Sequence, residues 1–486
     1  MAQHFTDSYP QDLGLFIDGI WHRQGGREER EVINPATGQI IGRLPLATRE
    51  DLDGALDSSQ RAFQSWRNVS AWERAAMLKR AAQLIRERKP SLAAMLTLDN
   101  GKPLADALGE IDRSIETIEW CAEEATRAYG RLLPPRAPGL LQTTFKRPIG
   151  PVAAFSPWNF PAVLAVRKIA AALAAGCTII IKPAEETPSV TVGIVRAFHD
   201  AGVPAGVLNL VFGIPSQVSE HLIASPVIRK VSFTGSVPVG KLLYKLAAEG
   251  LKAVTMELGG HSPVVVFDDV DVDKVATACA MFKFRNAGQV CLSPNRFFVQ
   301  NRVYDAFVAR FSEVARALKV GDGSQPGVQM GPLNNARRLD AAERFVADAR
   351  ATGAKVAQGG QRIGKQGYFF EPTILTGLTE NASIMTEEPF CPIAPIVPFS
   401  TLEEGVQKAN AVEFGLAAYA FTRASARAAT VSESFEAGWI GINSFTPALA
   451  DAPLGGMKDS GVGYEGGPEG LDAYMQIRFL SHDLNY

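Results

Sequence analysis

The chain has 486 residues, of which 46% are hydrophobic and 21% charged, and its formal net charge is −2. This length exceeds what one hydrophobic core supports, so we expect two or three domains, and the lack of a basic stripe argues against a nucleic-acid partner. The five cysteines are scattered without a Cys-x-x-Cys pair, which argues against a disulfide framework or a zinc site and favours the reducing cytoplasm.

The first 128 residues predict scaffold rather than chemistry. Short alternating apolar segments in residues 1–47 predict edge strands, and the acidic N-terminus does not have the plan of a secretory signal. From residue 49 to residue 128 the pattern is helical. Ser70 and Glu73 predict a capping box at one helix start, and Gly101 predicts a helix end.

Short apolar strands alternate with helical segments between residues 150 and 270. The predicted strands are 152–155, 178–181, 208–212, 230–233 and 253–256, and the predicted helices are 162–175, 190–199, 217–224 and 239–248. This pattern predicts βαβ units, and hence an α/β fold whose parallel sheet is covered on both faces. The most apolar run, residues 169–181, is shorter than the ~20 residues that cross a bilayer, so we expect no membrane partner.

Ligands of such sheets bind beyond the carboxyl ends of the strands. The residues at these positions are Trp158, Asn159, Lys182, Glu185, Gly213, Gly235 and Ser236. The segment from Gly235 to Lys241 opens a helix, and its backbone N–H groups suit a pyrophosphate. It nearly matches a P-loop, but Leu242 replaces the hydroxyl that binds Mg²⁺, so dinucleotide binding is favoured over triphosphate hydrolysis. A simple tight turn is the alternative.

Lys182 and Glu185 follow another predicted strand. Both side chains suit the hydroxyls of a ribose, and a solvated charged loop is the competing interpretation. If they bind a ribose, the carboxylate of Glu185 repels a 2′-phosphate, which favours NAD over NADP.

The predicted elements of a second α/β region are the strands 263–267, 296–299 and 438–443 and the helix 304–318. Asp269, Asp271 and Asp273 within it imitate the start of a calcium-binding EF-hand loop. Lys274 and Ala280 stand where that loop needs its glycine and its last glutamate, so we expect no metal site.

Cys291 lies in an irregular segment between Gly288 and Pro294, and its thiol is the centre of the functional prediction. A buried structural cysteine is the competing interpretation. Upstream, Glu257 lies between apolar residues and two glycines, and a thiol together with a carboxylate that activates water indicates two-step chemistry through a thioester. His261 raises a Cys/His thiol hydrolase as an alternative, although we interpret this histidine as structural.

Seven segments resemble the NAD(P)-dependent aldehyde dehydrogenases, in that family's order and over nearly the whole chain. They are residues 155–161, 182–185, 233–236, 257–260, 288–291, 387–390 and 453–461. The resemblance implies a Rossmann-like NAD-binding domain, a second α/β domain that carries the catalytic cysteine, and a small β element that makes a homodimer or homotetramer. The implied bounds are 1–123 and 144–256 for the first, 257–455 for the second, and 124–143 with 456–486 for the third.

The resemblance also implies a mechanism. Cys291 attacks the aldehyde as a thiolate, so we expect its site to favour the thiolate at neutral pH. The side-chain amide of Asn159 and the backbone N–H of Cys291 receive the oxyanion, hydride passes to the nicotinamide, and Glu257 activates the water that hydrolyses the thioester. Lys168 and Glu465 match residues that relay protons from this glutamate.

The expected cofactor is NAD, with NADP also possible. Strand ends and resemblance together predict nine cofactor-binding residues, which are Trp158, Lys182, Glu185, Gly213, Gly235, Ser236, Leu258, Glu388 and Phe390. By resemblance, Glu388 holds the nicotinamide ribose and Phe390 lies beside the ring.

Within the family, the chain looks most similar to succinate-semialdehyde dehydrogenases, in which arginines bind the distal carboxylate of the substrate. Arg167 and Arg285 fall at the matching positions, with a structural salt bridge as the alternative for each. Phe445 is expected to narrow the substrate pocket or to favour an apolar aldehyde, and Ala448 replaces a serine. A short semialdehyde such as succinate semialdehyde is therefore the predicted substrate. The alternatives are uncharged aliphatic or aromatic aldehydes, a CoA-acylating reaction, a non-redox thiol esterase, and nucleotide binding without catalysis.

Overall fold

The computed structural model describes residues 9–10, 12–23, 25–379, 382–445 and 448–485. The expectation about a secretory signal concerns residues 1–8, which lie outside this set. The elements up to residue 148 are β1 (Leu15–Ile17), β2 (Ile20–His22), β3 (Glu29–Ile33), β4 (Ile40–Pro45), α1 (Arg49–Trp66), α2 (Ala71–Glu87), α3 (Lys89–Asn100), α4 (Leu104–Ala125), β5 (Arg131–Leu133) and β6 (Leu140–Pro148). Ser70 and Glu73 make the predicted capping box of α2, and Gly101 ends α3 with a φ of 92°.

The next segment forms the predicted βαβ units. Its elements are β7 (Val152–Phe155), α5 (Pro161–Ala175), β8 (Ile179–Lys182), α6 (Pro188–Asp200), β9 (Leu208–Leu210), α7 (Pro215–Ala224), β10 (Lys230–Thr234), α8 (Val237–Glu249) and β11 (Ala253–Glu257). Strands β9, β8, β7, β10 and β11 run parallel in that order at the centre of an eight-stranded sheet. The prediction of a parallel α/β sheet is thus confirmed.

A second sheet follows in the chain. The elements of this region are β12 (Pro263–Val266), α9 (Val272–Phe284), β13 (Arg296–Gln300), α10 (Tyr304–Ala317), α11 (Ala336–Ala351), β14 (Lys355–Gln358), β15 (Thr373–Thr376), α12 (Ser383–Thr386), β16 (Ile393–Phe399), α13 (Leu402–Asn410), β17 (Phe414–Gly415), β18 (Ala417–Phe421), α14 (Ser425–Ser434) and β19 (Trp439–Ile442). The sheet order is β14-β15-β16-β13-β12-β18-β19, and all neighbours pair in parallel except β14 with β15. Asp271 caps α9 and Asp269 accepts bonds from residues 422–424, so these carboxylates serve local structure.

The C-terminal segment contributes one strand to each of three sheets. Its elements are β20 (Met457–Lys458), β21 (Gly461–Val462), α15 (Gly467–Asp472) and β22 (Met475–Asp483). Strand β20 pairs with β17, whereas β21 joins the first sheet beside β11. Strand β22 pairs along its whole length with β6, whose other edge carries β5. The small antiparallel sheet therefore occupies 131–133, 140–148 and 475–483, while 457–472, predicted to belong to the bridging element, packs against the two large units.

The two large sheets bury separate hydrophobic cores, and the chain first passes from one to the other through a short connection. Strand β11 ends at Glu257 in the first core region, and β12 begins at Pro263 in the second. Leu258 packs in the first core, whereas Cys291 lies against the second. Among the described residues, no helix combines the length and the apolar character needed to cross a bilayer.

Candidate active site

Cys291 follows a sharply turned segment at the end of α9. Asn286 and Ala287 have φ angles of 47° and 53°, and Gly288 has a φ of 72°. Left-handed backbone is unfavourable for residues that carry a Cβ atom, so neighbouring contacts must hold this turn in place. A Cβ atom on Gly288 would lie 2.3 Å from the carbonyl oxygen of Cys391, which explains the glycine.

Two cavities meet at Cys291, which lines both. The larger, the strand-end cavity of about 390 Å³, lies beyond the carboxyl ends of the first sheet. Its walls include Trp158, Asn159, Gly235, Ser236, Glu257, Leu258, Glu388 and Phe390. The smaller, the arginine cavity of about 70 Å³, has walls that include Arg113, Phe160, Arg167, Phe282, Arg285 and Ala448. The three residues predicted to be catalytic thus face one common space.

Glu257, the last residue of β11, presents a carboxyl group with two unpaired oxygens. Its side chain is buried, and neither oxygen has a hydrogen-bond partner within the described part of the chain. Burial, reinforced by the charge of Glu465, raises the pKa of Glu257 well above its usual value. The raised pKa and the two unpaired oxygens suit this carboxyl to accept a proton, as a general base must.

Lys168 and Glu465 form a buried ion pair close to Glu257. The ammonium of Lys168 contacts the Glu465 carboxylate, Thr234 Oγ1 at 2.8 Å and Ser232 Oγ at 3.3 Å. The second carboxylate oxygen of Glu465 has no partner among the described residues. The structure therefore brings the two residues predicted for a proton relay together, in electrostatic contact with Glu257.

The thiol of Cys291 is not in an environment that favours the thiolate. Burial raises its pKa to about 12, and the charges of Glu388 and Glu257 act in the same direction. These surroundings favour the protonated thiol, in contrast to the expectation that the site stabilises the thiolate at neutral pH. A base must take the proton as the sulfur reacts, and Glu257 is the unpaired carboxyl in the same cavity.

Asn159 keeps an unused N–H at the strand-end cavity. Its side-chain nitrogen donates one hydrogen bond to the carbonyl of Gln289 at 3.1 Å. Because an amide nitrogen carries two hydrogens, one remains for a ligand. The main-chain carbonyl of Asn159 accepts bonds from Lys102 Nζ at 2.8 Å and from Asn286 Nδ2 at 3.1 Å. The residue is therefore held through its backbone while its amide faces the cavity wall.

Sequence reasoning missed the pair that holds this backbone. Lys102 and Glu110 form an ion pair at 2.5 Å in which both side chains are 0% exposed. The other oxygen of Glu110 accepts the N–H of Ala162 at 2.9 Å, in the first turn of α5. The pair thus ties Asn159 to the start of the helix that carries Arg167 and Lys168. No local sequence pattern predicts this ion pair, because each of the two charged residues, taken alone, is typical of a solvent-exposed position near the start of a helix.

Glu388 and Phe390 lie in the strand-end cavity where the cofactor ring is expected. One Glu388 oxygen accepts the Gly260 N–H at 2.9 Å, and burial raises the pKa of Glu388 to about 7. The ring of Phe390 meets that of Trp158 edge to face, with 5.7 Å between centroids. A Cβ atom on Gly259 would lie 2.4 Å from the Glu388 carboxylate, so this approach requires glycine.

Glu185 and Gly213 line a further cavity of about 670 Å³, beside the carboxyl ends of β8 and β9. Lys182 contacts the carboxylate of Glu185, which also accepts the Gly213 N–H at 3.2 Å. Both side chains are buried, so the interpretation as a solvated loop is wrong. Together with Gly235 and Ser236 at the start of α8, these groups fit the ribose hydroxyls and the pyrophosphate of a dinucleotide.

Arg167 and Arg285 both reach the arginine cavity. One terminal nitrogen of Arg167 donates to the carbonyls of Ala448 and Leu449, at 3.3 and 3.0 Å. Its other terminal nitrogen is buried without a partner among the described residues. Arg285 lies 3.8 Å from Asp106 and places its guanidinium 5.7 Å from the centre of the Phe160 ring.

Arg113 is a third arginine in this cavity, and sequence reasoning missed it. It lies on α4, and one of its terminal nitrogens is buried with no partner among the described residues. Burial, together with the charge of Arg285, lowers the pKa of Arg113. Because Arg113 lies on a helix with many charged residues, its place in the sequence is typical of a solvent-exposed side chain. Only the packing of α4 shows that Arg113 lines the cavity.

Phe445, predicted to narrow the substrate pocket, lies in an aromatic cluster next to the arginine cavity. Its ring stacks on Phe282 with 4.7 Å between centroids and contacts Tyr419 and Phe421. Phe282, rather than Phe445, lines the arginine cavity. The Phe445 ring packs within this aromatic cluster and supports the Phe282 side of the cavity wall. Ala448, in contrast, is on the cavity wall.

Comparison with known proteins places this architecture in one family. Residues 21–480 match the aldehyde dehydrogenase family. The chain is 46% identical to the putative 4-(hydroxymethyl)benzenesulfonate dehydrogenase TsaD2 of Comamonas testosteroni, over 96% of this chain and 98% of that protein. It is 43% identical to the 3-sulfolactaldehyde dehydrogenase of Pseudomonas putida, over 96% of each chain. It is 41% identical to the NADP(+) succinate-semialdehyde dehydrogenase GabD of Escherichia coli K12, again over 96% of each.

Solved structures agree with this match. A succinate-semialdehyde dehydrogenase from Burkholderia pseudomallei is 42% identical and superposes with a TM-score of 0.96, over 98% of both chains. The betaine aldehyde dehydrogenase of Staphylococcus aureus in complex with NAD⁺ is 32% identical, with a TM-score of 0.96 over 100% of this chain and 97% of that one.

Proposed function

Because this chain belongs to the aldehyde dehydrogenase family, we propose that it oxidises a short aldehyde with a distal anionic group to the carboxylic acid, using NAD. One observation carries the choice of substrate. Arg113 and Arg167 both line the small cavity that Cys291 also lines, and each has a buried terminal nitrogen without a partner among the described residues. Buried guanidinium groups need an anionic partner, and a carboxylate or sulfonate on the substrate supplies one.

The chemistry begins at Cys291. Its sulfur attacks the aldehyde carbon while Glu257 takes the thiol proton, because Glu257 is a buried carboxyl with no other partner among the described residues. The free N–H of Asn159 and the backbone N–H of Cys291 donate to the developing oxyanion, typically ~3 kcal/mol for each such donor. A bound nicotinamide dinucleotide supplies the hydride acceptor. Lys168 with Glu465 carries that first proton away, and Glu257 then draws a second proton from the water that hydrolyses the thioester and releases the acid.

The size of the arginine cavity supports a short, aliphatic substrate. It measures about 70 Å³, whereas a cavity of ~150 Å³ accommodates benzene. Two relatives of this chain, by their names, act on 3-sulfolactaldehyde and succinate semialdehyde, which are short aldehydes with a distal anion. The relative named for a benzenesulfonate substrate shares the anion but needs room for a ring.

Charges around the 670 Å³ cavity support NAD over NADP. Its walls carry the carboxylates of Glu28, Glu29, Glu31 and Glu185. The two arginines on the same walls are already engaged, since Arg30 contacts Glu186 at 3.1 Å and Arg43 contacts Glu31 at 3.7 Å. An added 2′-phosphate would therefore meet an acidic surface. GabD is named for NADP(+), so use of the second cofactor at lower efficiency is also expected.

A panel of kcat/KM values tests the substrate class. Succinic and glutaric semialdehydes, butanal, pentanal and benzaldehyde are compared with NAD and with NADP, by following reduced nicotinamide absorbance. The two acidic aldehydes should exceed the uncharged ones of equal length by at least tenfold, the effect of roughly one charge-assisted hydrogen bond. Equal kcat/KM values for acidic and uncharged aldehydes would instead indicate that the substrates are uncharged aldehydes. Ester cleavage that needs no nicotinamide, without aldehyde oxidation, would indicate the thiol esterase instead.

We also propose that the enzyme is a cytoplasmic homodimer or homotetramer. All five cysteines are free, in keeping with a reducing compartment. Strand β22 lies at the edge of the three-stranded sheet and exposes Ile477, Phe479 and Leu480, which are 69%, 59% and 45% accessible. An apolar edge strand of this kind suits pairing with a second copy. Light scattering of the Phe479→Asp variant should show a smaller particle, and an unchanged mass would exclude this edge.

A further inference from the structure

We propose that Arg113 determines substrate specificity by completing a receptor with three guanidinium groups, so that the enzyme prefers a distal sulfonate to a distal carboxylate. This inference rests on the proposed oxidation of a short anionic aldehyde and names the anion. Arg113, Arg167 and Arg285 come from three separate places in the fold, namely α4, α5 and the turn after α9. All three line the arginine cavity with Cys291.

The three groups differ in what they already bind. Arg167 uses one terminal nitrogen on two main-chain carbonyls and leaves the other unpaired among the described residues. Arg113 likewise has an unpaired, buried terminal nitrogen. Arg285 has one carboxylate nearby, Asp106 at a long 3.8 Å. The walls of the cavity include no carboxylate among the described residues, and the carboxylates that act on Arg113, those of Glu110, Asp106 and Asp112, lie outside these walls.

Electrostatics supports an anion as the missing partner. Burial first, and then the charge of Arg285, lowers the pKa of Arg113, although the nearby carboxylates of Glu110, Asp106 and Asp112 act in the opposite direction. Like charges on the wall of one small cavity repel each other, and burial denies them the solvation that would offset this repulsion. An anion that contacts both groups removes the repulsion, so the arrangement is complementary to a bound charge.

The number of donors favours an anion with three oxygens. A carboxylate has two oxygens in one plane and pairs best with one or two guanidinium groups. A sulfonate has three oxygens arranged around sulfur, so each can accept from a different arginine. A carboxylate in this receptor leaves one guanidinium without an oxygen of its own, and an unmatched buried charge weakens binding.

The test compares three aldehydes of equal length that differ in the distal group. They are 3-oxopropane-1-sulfonate, succinic semialdehyde and the neutral 4-oxobutanamide. For the wild-type enzyme, kcat/KM should be about tenfold higher for the sulfonate than for the carboxylate, as one additional charge-assisted contact predicts. In Arg113→Met, the sulfonate should lose at least tenfold, mostly through a higher KM, and the carboxylate should lose less. Arg113→Lys should recover part of the loss, because it restores the charge with a single donor group.

Inhibition gives a readout that does not need turnover. Propane-1-sulfonate should compete with the aldehyde more tightly than butanoate does, and Arg113→Met should remove that difference. Thermal unfolding of each variant checks that it is folded. If Arg113→Met lowers kcat/KM equally for all three aldehydes, the role of Arg113 is structural and the inference is overturned. A wild-type preference for the carboxylate would also overturn it while leaving the proposed function intact. No advantage of either anion over the amide would refute the proposed function itself.

Discussion

The two cavities that meet at Cys291 are built in different ways. The strand-end cavity collects residues that follow consecutive strands of one parallel sheet, such as Trp158, Gly235 and Leu258. The arginine cavity collects side chains from helices that are far apart in the chain, including Arg113 and Arg167. The first follows a general rule of parallel sheets, whereas the second depends on how helices pack against each other. The binding surface for a shared cofactor is therefore readable in sequence order, and the surface for the particular substrate is not.

Cys291 belongs to both cavities, so its removal should affect the enzyme most. Cys291→Ala should lower kcat for aldehyde oxidation by ~10⁴-fold or more, because no other group forms the covalent intermediate. Reduced nicotinamide absorbance measures this loss. Cys279→Ala is the matched control, since Cys279 is buried on α9 and lines neither cavity. Substantial oxidation by Cys291→Ala would contradict the mechanism.

Substitution of Glu257 tests the strand-end cavity alone, because Glu257 lines that cavity and not the arginine cavity. Glu257→Gln should slow both the first burst of reduced cofactor and the later turnover by ~10²–10⁴-fold, the usual contribution of a general base, because this carboxyl serves the sulfur attack and the hydrolysis. Stopped-flow absorbance separates the burst from the later rate. Because burial raises the pKa of Glu257, wild-type turnover should rise with pH as this carboxyl loses its proton. The variant should not show that rise. An undiminished burst followed by slow turnover would confine the role of Glu257 to acid release.

The buried pair Lys102–Glu110 lies behind both cavities, because it holds the backbone of Asn159 and the start of α5. Lys102→Met leaves Glu110 as an unpaired buried charge, which should cost ~3–5 kcal/mol of unfolding free energy. Chemical unfolding measures that cost, and kcat should fall because Asn159 loses its anchor. Lys89→Met is the control, since the pair Lys89–Asp112 is partly exposed. Equal destabilisation by both variants would contradict the special role of the buried pair.

Glu185 should have the smallest and most selective effect. Glu185→Ser removes a carboxylate from the 670 Å³ cavity and frees Arg30 from one of its two carboxylate partners. The ratio of kcat/KM for NADP to that for NAD should rise by about tenfold, as for one removed charge repulsion. Cofactor titrations at saturating aldehyde measure the ratio. Glu220→Ser, a change outside this cavity, should leave it unchanged. A ratio that stays constant in Glu185→Ser would remove Glu185 as the cofactor determinant.

Much of the fold and of the strand-end cavity follows from sequence. In the βαβ region, the bounds of the elements differ from the predicted ones by at most two residues. The alternation of short apolar strands with amphipathic helices is a local pattern, and the ligand-binding edge follows from strand direction. Glu257 and Asn159 were predicted as site residues for this reason and by family resemblance, and they do share a cavity with Cys291.

Sequence alone determined that this chain is an α/β enzyme of the aldehyde dehydrogenase type. The periodicity of the strands is a property of adjacent residues, and the order of the motifs can be observed directly along the chain. Tertiary structure alone decided that Arg113 lines one cavity with Arg167, that Lys102 pairs with Glu110, and that the Phe445 ring stacks on Phe282. It also decided that burial and two neighbouring carboxylates raise the pKa of the Cys291 thiol. Each of these depends on which distant surfaces pack together and on the solvent they exclude, and neither quantity is encoded in a local pattern.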